Sequence, residues 1–276
     1  IRCEADPGIA AKSSPTDLRS AEETPTAEPN LANSYAHWVS TYDTLVESDR
    51  ISIRARLREL TLRPLISVVM PTYNSNPDHL RAAIASVRAQ LYPHWELCIA
   101  DDASTNPNVR ETLREFGEDS RIKLVFREIN GHISAASNDA LALASGEFVA
   151  LMDHDDLLPE HALYEVVVAI NRKPDVDLIF SDEDQIDQGG QRRNAYFKPG
   201  WDPELILVHN LVSHLGVYRR SILNDLGGFR LGFEGSQDYD LALRVASQTT
   251  EDKIYHIPRI LYHWRLNADH VSFSSS

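Results

Sequence analysis

The sequence predicts an α/β fold, a mostly parallel sheet covered by helices on both faces. Short β-branched apolar runs alternate with amphipathic segments of about a dozen residues, the rhythm of strand–helix–strand crossovers. Polar clusters follow three of those runs, Thr72-Tyr73-Asn74, Asp101-Asp102 and Asp153-His154-Asp155-Asp156, and in open α/β sheets ligands bind beyond the carboxyl ends of the strands. The 276 residues, 42% hydrophobic and 25% charged, supply ample material for a core.

Residues 1–33 are rich in Pro, Ala, Thr, Ser and Glu without apolar periodicity, and read as a linker or disordered arm. Over 34–63 the apolar residues return at helical spacing, Trp38, Tyr42, Leu45 and Val46, then Ile51, Ile53, Leu57 and Leu60. That predicts a helical extension packed on the main domain or on an upstream neighbour. The main domain, 64–276, opens at Pro64. Strands are expected at Ile66–Met70, Trp95–Ala100, Ile122–Phe126 and Glu147–Met152, with helices at Asp78–Gln90, Asn108–Phe116 and Ser134–Ala144 between them. Leu178–Phe180 is a further short strand, Gln188-Gly189-Gly190-Gln191 a hairpin turn, and Ile260–Arg265 an alternating run. The chain does not begin with Met and stops at Ser274-Ser275-Ser276, so a piece of a longer protein is expected.

Charge and cysteine content exclude several classes. Twenty-seven Lys plus Arg against forty-one Asp plus Glu leave a net charge of −14, whereas non-specific nucleic-acid binding needs a cationic surface. A nucleotide ligand stays open, because a divalent cation can lie between an acidic pocket and a diphosphate. Cys3 and Cys98 make no disulfide framework, which favours a reducing compartment. The longest apolar stretches, such as Tyr164–Ile170, fall far short of the roughly 18 residues of a membrane span. No glycine occurs between Gly8 and Gly117, so neither a dinucleotide fingerprint nor a P-loop can follow the first strand.

Asp153, Asp155 and Asp156 put three carboxylates into four positions at a strand end. Such crowding raises carboxyl pKa values unless a cation compensates it, and oxygen ligands of this kind suit Mg²⁺ or Mn²⁺. Asp156 can equally cap the helix after Leu157-Leu158-Pro159. Asp101-Asp102-Ala103-Ser104 is either a site or a strand-end turn, and Asp182-Glu183-Asp184 either a site or a solvated acidic loop. In Ser236-Gln237-Asp238-Tyr239-Asp240 one residue caps the helix running through Val245 and another is available as a base, and spacing alone does not choose between them. His263, ending an apolar run, is either hydrogen-bonded or a ligand. Aromatics between Tyr196 and Trp201 either line an acceptor side or pack in the core.

The set Val69-Met70-Pro71-Thr72-Tyr73-Asn74, Asp101-Asp102-Ala103-Ser104, Asn130-Gly131 with Asn138, Asp153-x-Asp155-Asp156 and Gln237-Asp238 resembles the family 2 glycosyltransferases of GT-A fold, from about Pro64 to Arg265. Met152-Asp153-His154-Asp155-Asp156, Ser181-Asp182-Glu183-Asp184 and Tyr262-His263-Trp264-Arg265 look like the bacterial branch that builds O-antigen and related surface polysaccharides, including rhamnose-containing ones. The resemblance implies an inverting, metal-dependent transferase with a small C-terminal acceptor-side portion. Its donor would be a nucleotide-diphosphate sugar of UDP, dTDP or GDP type. Pro71, Thr72 and Tyr73 would line the base pocket and Asp101 or Asp102 would contact the base; Asn74, Asn138, His154 and Gln237 join the donor-binding set. Asp153 and Asp155 match the Asp-x-Asp that holds ribose and Mn²⁺ or Mg²⁺, with His263 where some relatives have a third metal ligand. Asp238 matches the catalytic Asp, its usual Glu neighbour replaced by Gln237. The implied acceptor is a growing glycan, lipid-linked in one alternative, which would bring peripheral association with the inner face of the plasma membrane to a cytoplasmic enzyme. A further transferase domain in a longer chain fits the same branch.

A haloacid-dehalogenase-type phosphatase has a similar Asp-x-Asp but needs Thr or Val where Leu157 stands, on the first strand. A sugar-nucleotide pyrophosphorylase needs the missing glycine loop. A non-catalytic transferase-like module that binds glycan or a partner would have lost its base or metal carboxylates; Asp153, Asp155 and Asp238 are all present.

Overall fold

The computed structural model describes residues 31–266, so the arm expected at 1–33 falls outside it except for its last three residues, which open the first helix. That helix, α1 (Leu31–Tyr42), and α2 (Glu47–Glu59) form the extension. Arg50 grips Glu160 through two guanidinium nitrogens, and Asn171 Oδ1 accepts from the Thr61 and Leu62 amides. These bonds bolt the extension to the main domain.

The main domain alternates β1 (Ile66–Thr72), α3 (Pro77–Arg88), β2 (Trp95–Asp101), α4 (Pro107–Glu115), β3 (Ile122–Phe126), α5 (His132–Ala142) and β4 (Phe148–Leu151). Helix starts follow local chemistry. Asn76 and Asn106 accept hydrogen bonds from first-turn amides, each ahead of a proline whose missing N–H costs a helix start nothing. Next come α6 (Ala162–Arg172), β5 (Leu178–Ile186), β6 (Arg192–Tyr196), β7 (Gly216–Arg219), α7 (Arg220–Asp225), α8 (Gln237–Gln248) and β8 (Ile254–Arg265).

The sheet runs β3-β2-β1-β4-β7-β5-β6, with β8 pairing β5. Pairs β1–β2, β1–β4, β2–β3 and β5–β8 are parallel, while β7 and β6 enter antiparallel. Side chains alternate between two cores. Ile66, Val68 and Met70 pack with Leu80, Ile84 and Val166 on one face. Val69 and Cys98 pack with Ala136, Ala140, Leu241 and Val245 on the other. Among the described residues no helix is long and apolar enough to cross a membrane.

Several elements differ from the sequence reading: α7 has no counterpart in it, and β8 begins at Ile254, ahead of the expected Ile260. β5 continues through Asp182-Glu183-Asp184 instead of ending in an acidic loop, because its alternation buries Asp182 and Asp184 on one face. β7 was not expected at all: four residues of Gly-Val-Tyr-Arg give too short a pattern to read. The hairpin turn between β5 and β6 stands as expected, with the Asp187 carboxylate accepting from the Gly189 and Gln191 amides.

Candidate active site

A cavity of about 780 Å³ opens beyond the carboxyl ends of β1 and β4. Pro71 and Met152 line one side, Glu183 and Gln185 of β5 the other, and Gln237 and Asp238 of α8 overhang it. Asp153 leaves β4 at its floor, where the Asp153 amide donates to the Tyr262 hydroxyl at 3.1 Å. Its carboxylate stays 40% exposed to the cavity, with Oδ2 3.6 Å from His214 Nε2.

His214 is held from three directions. Its ring stacks on Tyr262 with centroids 4.5 Å apart, its amide donates to Glu183 Oε2, and its Nδ1 lies 3.6 Å from the same oxygen. The buried Lys198 ammonium donates to the Ser213 and His214 carbonyls at 3.0 and 2.8 Å, fixing the loop beneath the ring. Burial opposes a charged imidazole, but the bond to Glu183 and the charges of Asp153, Glu183 and Asp156 outweigh it and raise His214 to about 9. Lys198 moves the other way, to about 8, because its burial exceeds the pull of Glu183 and Asp182. Burial lifts Asp153 above the ordinary carboxylate range; His214 pulls it back, and Asp155 and Asp238 add to the rise.

Asp238 stands in the first turn of α8, and its Oδ2 accepts from Asn210 Nδ2 at 2.8 Å. Asp240, two residues on, is committed to Arg230 and Arg244. Ser236 is the N-cap residue but makes no side-chain cap bond. Of the carboxylates in this segment, Asp238 is thus the one that faces the cavity.

Of the site residues that the resemblance implies, the cavity wall takes Pro71, Asp153, Gln237 and Asp238. Gln237 Oε1 accepts from the Gly235 amide, closing the turn before α8. Thr72 is buried against the Ser75 hydroxyl, while Tyr73 projects 46% exposed above the strand ends. His154 and Asp155 occupy the turn after Asp153, and the Asp155 carbonyl accepts from Arg265 Nε at 2.7 Å.

The structure gives several of the expected site residues partners within the fold. Asp101 and Asp102 are buried and already occupied, Asp101 by Arg110 at 3.0 Å and Asp102 by Arg127 and the Gly131 amide, each at 2.9 Å. Asn74 staples two loops, its Oδ1 accepting from the Thr105 and Asn106 amides. Asn138 clamps Phe229, donating to its carbonyl and accepting from its amide, both at 2.8 Å, so its amide group is spent on the fold. Asp156 caps no helix, since α6 begins at Ala162; it accepts from the Tyr262 hydroxyl and the Arg265 amide. His263 turns to the face of β8 away from Tyr262, where its Nδ1 meets Asp184 Oδ1 at 2.6 Å. The imidazole beside Asp153 is His214, which sequence reasoning missed along with Asn210. His209-Asn210-Leu211-Val212-Ser213-His214 has no periodicity or motif to flag it. Of the aromatics near β6, Tyr196 lines the cavity, Phe197 meets Trp38, and Trp201 packs on Phe180. Among the described residues, no three His, Cys, Asp or Glu side chains form a ready-made cation cage.

Comparison with known proteins identifies the family. The family model described as Glycosyl transferase family 2 matches residues 67–227. The chain is 43% identical over 270 residues to the uncharacterized protein y4gI of Sinorhizobium fredii, covering 95% of this chain and 30% of that protein. It is 37% identical over 251 residues to the O-antigen biosynthesis protein RfbC of Myxococcus xanthus, covering 90% of this chain and 19% of that protein. It thus spans less than a third of either relative's length. The UDP-Glc:alpha-D-GlcNAc-diphosphoundecaprenol beta-1,3-glucosyltransferase WfgD of Escherichia coli is 32% identical over 184 residues, 66% of this chain and 69% of that one. Among solved structures, TarS of S. aureus (residues 1–349, with UDP-GlcNAc) superposes with a TM-score of 0.63 at 21% identity, over 75% of this chain and 60% of that one. The fold is GT-A, and the chain belongs to the family 2 glycosyltransferases.

Proposed function

We propose that this chain is the transferase unit of a longer protein, and that it moves a sugar from a nucleotide-diphosphate donor to a hydroxyl of a growing bacterial surface glycan, with inversion. One observation carries the reading: Asp153, at a strand's carboxyl end, and Asp238, at a helix start, face one cavity with Asn210 orienting the latter. In the proposed reaction Asp238 accepts the proton of the acceptor hydroxyl as that oxygen bonds to the anomeric carbon. The bond from the anomeric carbon to phosphate breaks, and its electron pair leaves on the diphosphate. A single in-line displacement inverts the centre and needs no covalent sugar–enzyme species.

The residues suit a divalent cation. The Asp153 side chain is 40% exposed and borders the cavity, where a cation can reach it. Asp153 and Asp155 offer hard oxygen donors, as Mg²⁺ or Mn²⁺ prefers. When bound, such an ion would offset charge on the departing phosphate oxygens. Pro71 and Tyr73 supply apolar surface for the base on the β1 side. WfgD acts on a diphosphoundecaprenol-linked sugar, which supports a lipid-linked acceptor here and work at the inner face of the plasma membrane. Residues 64–276 would form the transferase unit, with 34–63 as its brace.

Calorimetric titration with UDP, dTDP and GDP, each with and without Mn²⁺, tests the reading. We expect one diphosphate to bind in a metal-dependent way. A folded chain that binds none of them with Mn²⁺ present would overturn the reading in favour of a non-catalytic glycan- or partner-binding module.

A further inference from the structure

The part of the cavity farthest from β1 is a sheet surface whose composition follows from strand register. Side chains two apart on a strand share a face. On β5, Glu183, Asp184 and Gln185 border the cavity, and the side chains of Asp182, Asp184 and Ile186 are buried, with those of Glu183 and Gln185 more exposed. On β8, Tyr262 stands opposite Glu183 and Trp264 opposite Gln185. On β6, Tyr196 stands opposite Glu183, and Asn194 Nδ2 donates to Gln185 Oε1 at 2.8 Å. Three adjacent strands therefore present an amide pair, Gln185 and Asn194, between two aromatics, Trp264 and Tyr196.

Trp264 is 45% exposed, although its ring lies only 6.0 Å from that of His214 at the cavity floor. An indole left open inside a concave site is available to a ligand. One face of a pyranose carries C–H groups that lie flat on an aromatic ring, while its rim carries hydroxyls that need paired donors and acceptors. Side-chain amides supply both. Sheet order sets Gln185, Asn194 and Tyr196 apart from the donor side, since β7 intervenes between β4 and β5, while Trp264 on β8 stands where the two sides meet.

We propose that Trp264, Gln185, Asn194 and Tyr196 form the subsite for the acceptor's terminal pyranose, with Trp264 as its stacking platform. The proposal rests on the transferase reading above. It makes Trp264 a specificity-determining residue that sets acceptor affinity without touching the donor.

The test uses the 276-residue chain and a panel of p-nitrophenyl pyranosides (glucose, N-acetylglucosamine, galactose, rhamnose). Saturation-transfer NMR reads direct binding, alongside calorimetry with the nucleoside diphosphates and Mn²⁺. At least one glycoside should bind wild type, Trp264→Ala should weaken it by roughly tenfold, and Trp264→Phe should restore most of the loss. Diphosphate affinity should stay within twofold in all three proteins. A chain that binds diphosphate but no glycoside overturns the subsite and leaves the transferase reading standing. So does glycoside affinity unmoved by Trp264→Ala. A chain that binds glycoside through Trp264 but no diphosphate supports the subsite and overturns the transferase reading instead.

Discussion

The two ends of this sheet both hold acids, and they treat them in opposite ways. At the amino-terminal end, Glu96 of β2 accepts from the Ser67 hydroxyl, the Ser145 amide and hydroxyl and the Gly146 amide, with the Lys123 ammonium 2.7 Å away. Burial alone would raise its pKa, but these donors, Lys123 and Ser67 foremost, bring it down to about 2. At the carboxyl-terminal end Asp153 is raised, shares one imidazole with Glu183, and keeps open surface. A saturated carboxylate holds strands together. One lifted by burial, paired at only 3.6 Å and left open to a cavity is poised for something the protein does not itself contain.

The sharpest way to break this contrast is to neutralise one acid at each end. Asp238→Asn keeps the shape and the Asn210 neighbour but removes the proton acceptor. We expect transfer to fall by at least about 10²-fold, within the usual range for a general base. Diphosphate affinity and thermal midpoint should barely move. If diphosphate binding and transfer fell in equal measure, Asp238 would be a binding group rather than a base.

Glu96→Gln should do the reverse, lowering stability by roughly 2–3 kcal/mol and leaving turnover near wild type. The pH dependence has a definite sign. The folded pKa of about 2 lies below the ordinary 4.5, so the carboxylate's contribution is present above pH 4.5 and fades as pH falls from 4.5 toward 2. Urea titrations at pH 7 and pH 3 should therefore show the gap between Glu96→Gln and wild type narrowing in acid. A gap independent of pH would mean that packing, not charge, is what Glu96 supplies.

A smaller effect is expected from Asn138→Ala. The Asn138 amide holds Phe229, and a Cβ at Gly228 would come within 2.4 Å of Asn138 Oδ1. Gly228 also has a φ of +72°, which suits glycine. Losing the clamp should cost about 1–2 kcal/mol and loosen the segment that leads to Asp238, with diphosphate affinity kept. A loss of diphosphate affinity larger than the loss of stability would return Asn138 to the donor site.

The sequence reading and the structure agree where local pattern decides. Apolar runs closed by Pro71, Asp101 and Asp153 mark the parallel core and the end of the sheet where the cavity opens, because a β-branched run acts over a few residues. Asp153 stands out as a carboxylate at a strand end, while Asp238 is singled out from Asp240 and Ser236 only by the resemblance to the family's motif. What escaped was tertiary. Nothing in the order of residues tells that Asp101 meets Arg110, that Asn138 meets Phe229 ninety-one positions away, or that His214 rather than His263 lies beside Asp153. Those facts depend on which face of a strand each side chain takes, and β8 is long and bulged enough against β5 that its facing could not be counted from Ile260.

The smallest expected effect tests how local the contrast is. Asp184 lies one residue from Glu183, yet it behaves like Glu96: it accepts from the Tyr35 hydroxyl, Arg192 Nε and His263 Nδ1, each at 2.6 Å, and is fully buried. Burial raises its pKa, but the His263 bond and the Arg192 charge prevail and hold it below the ordinary range. Tyr35→Phe removes one of three donors and unpins α1 from β5, so we expect a loss of about 1 kcal/mol by denaturant titration. Turnover should change less than twofold, because alternation turns Asp184 away from the face on which Glu183 meets His214. A tenfold fall in turnover with the stability loss held near 1 kcal/mol would mean that the strand transmits strain between its two faces, and that the helical extension is part of the active site rather than its brace.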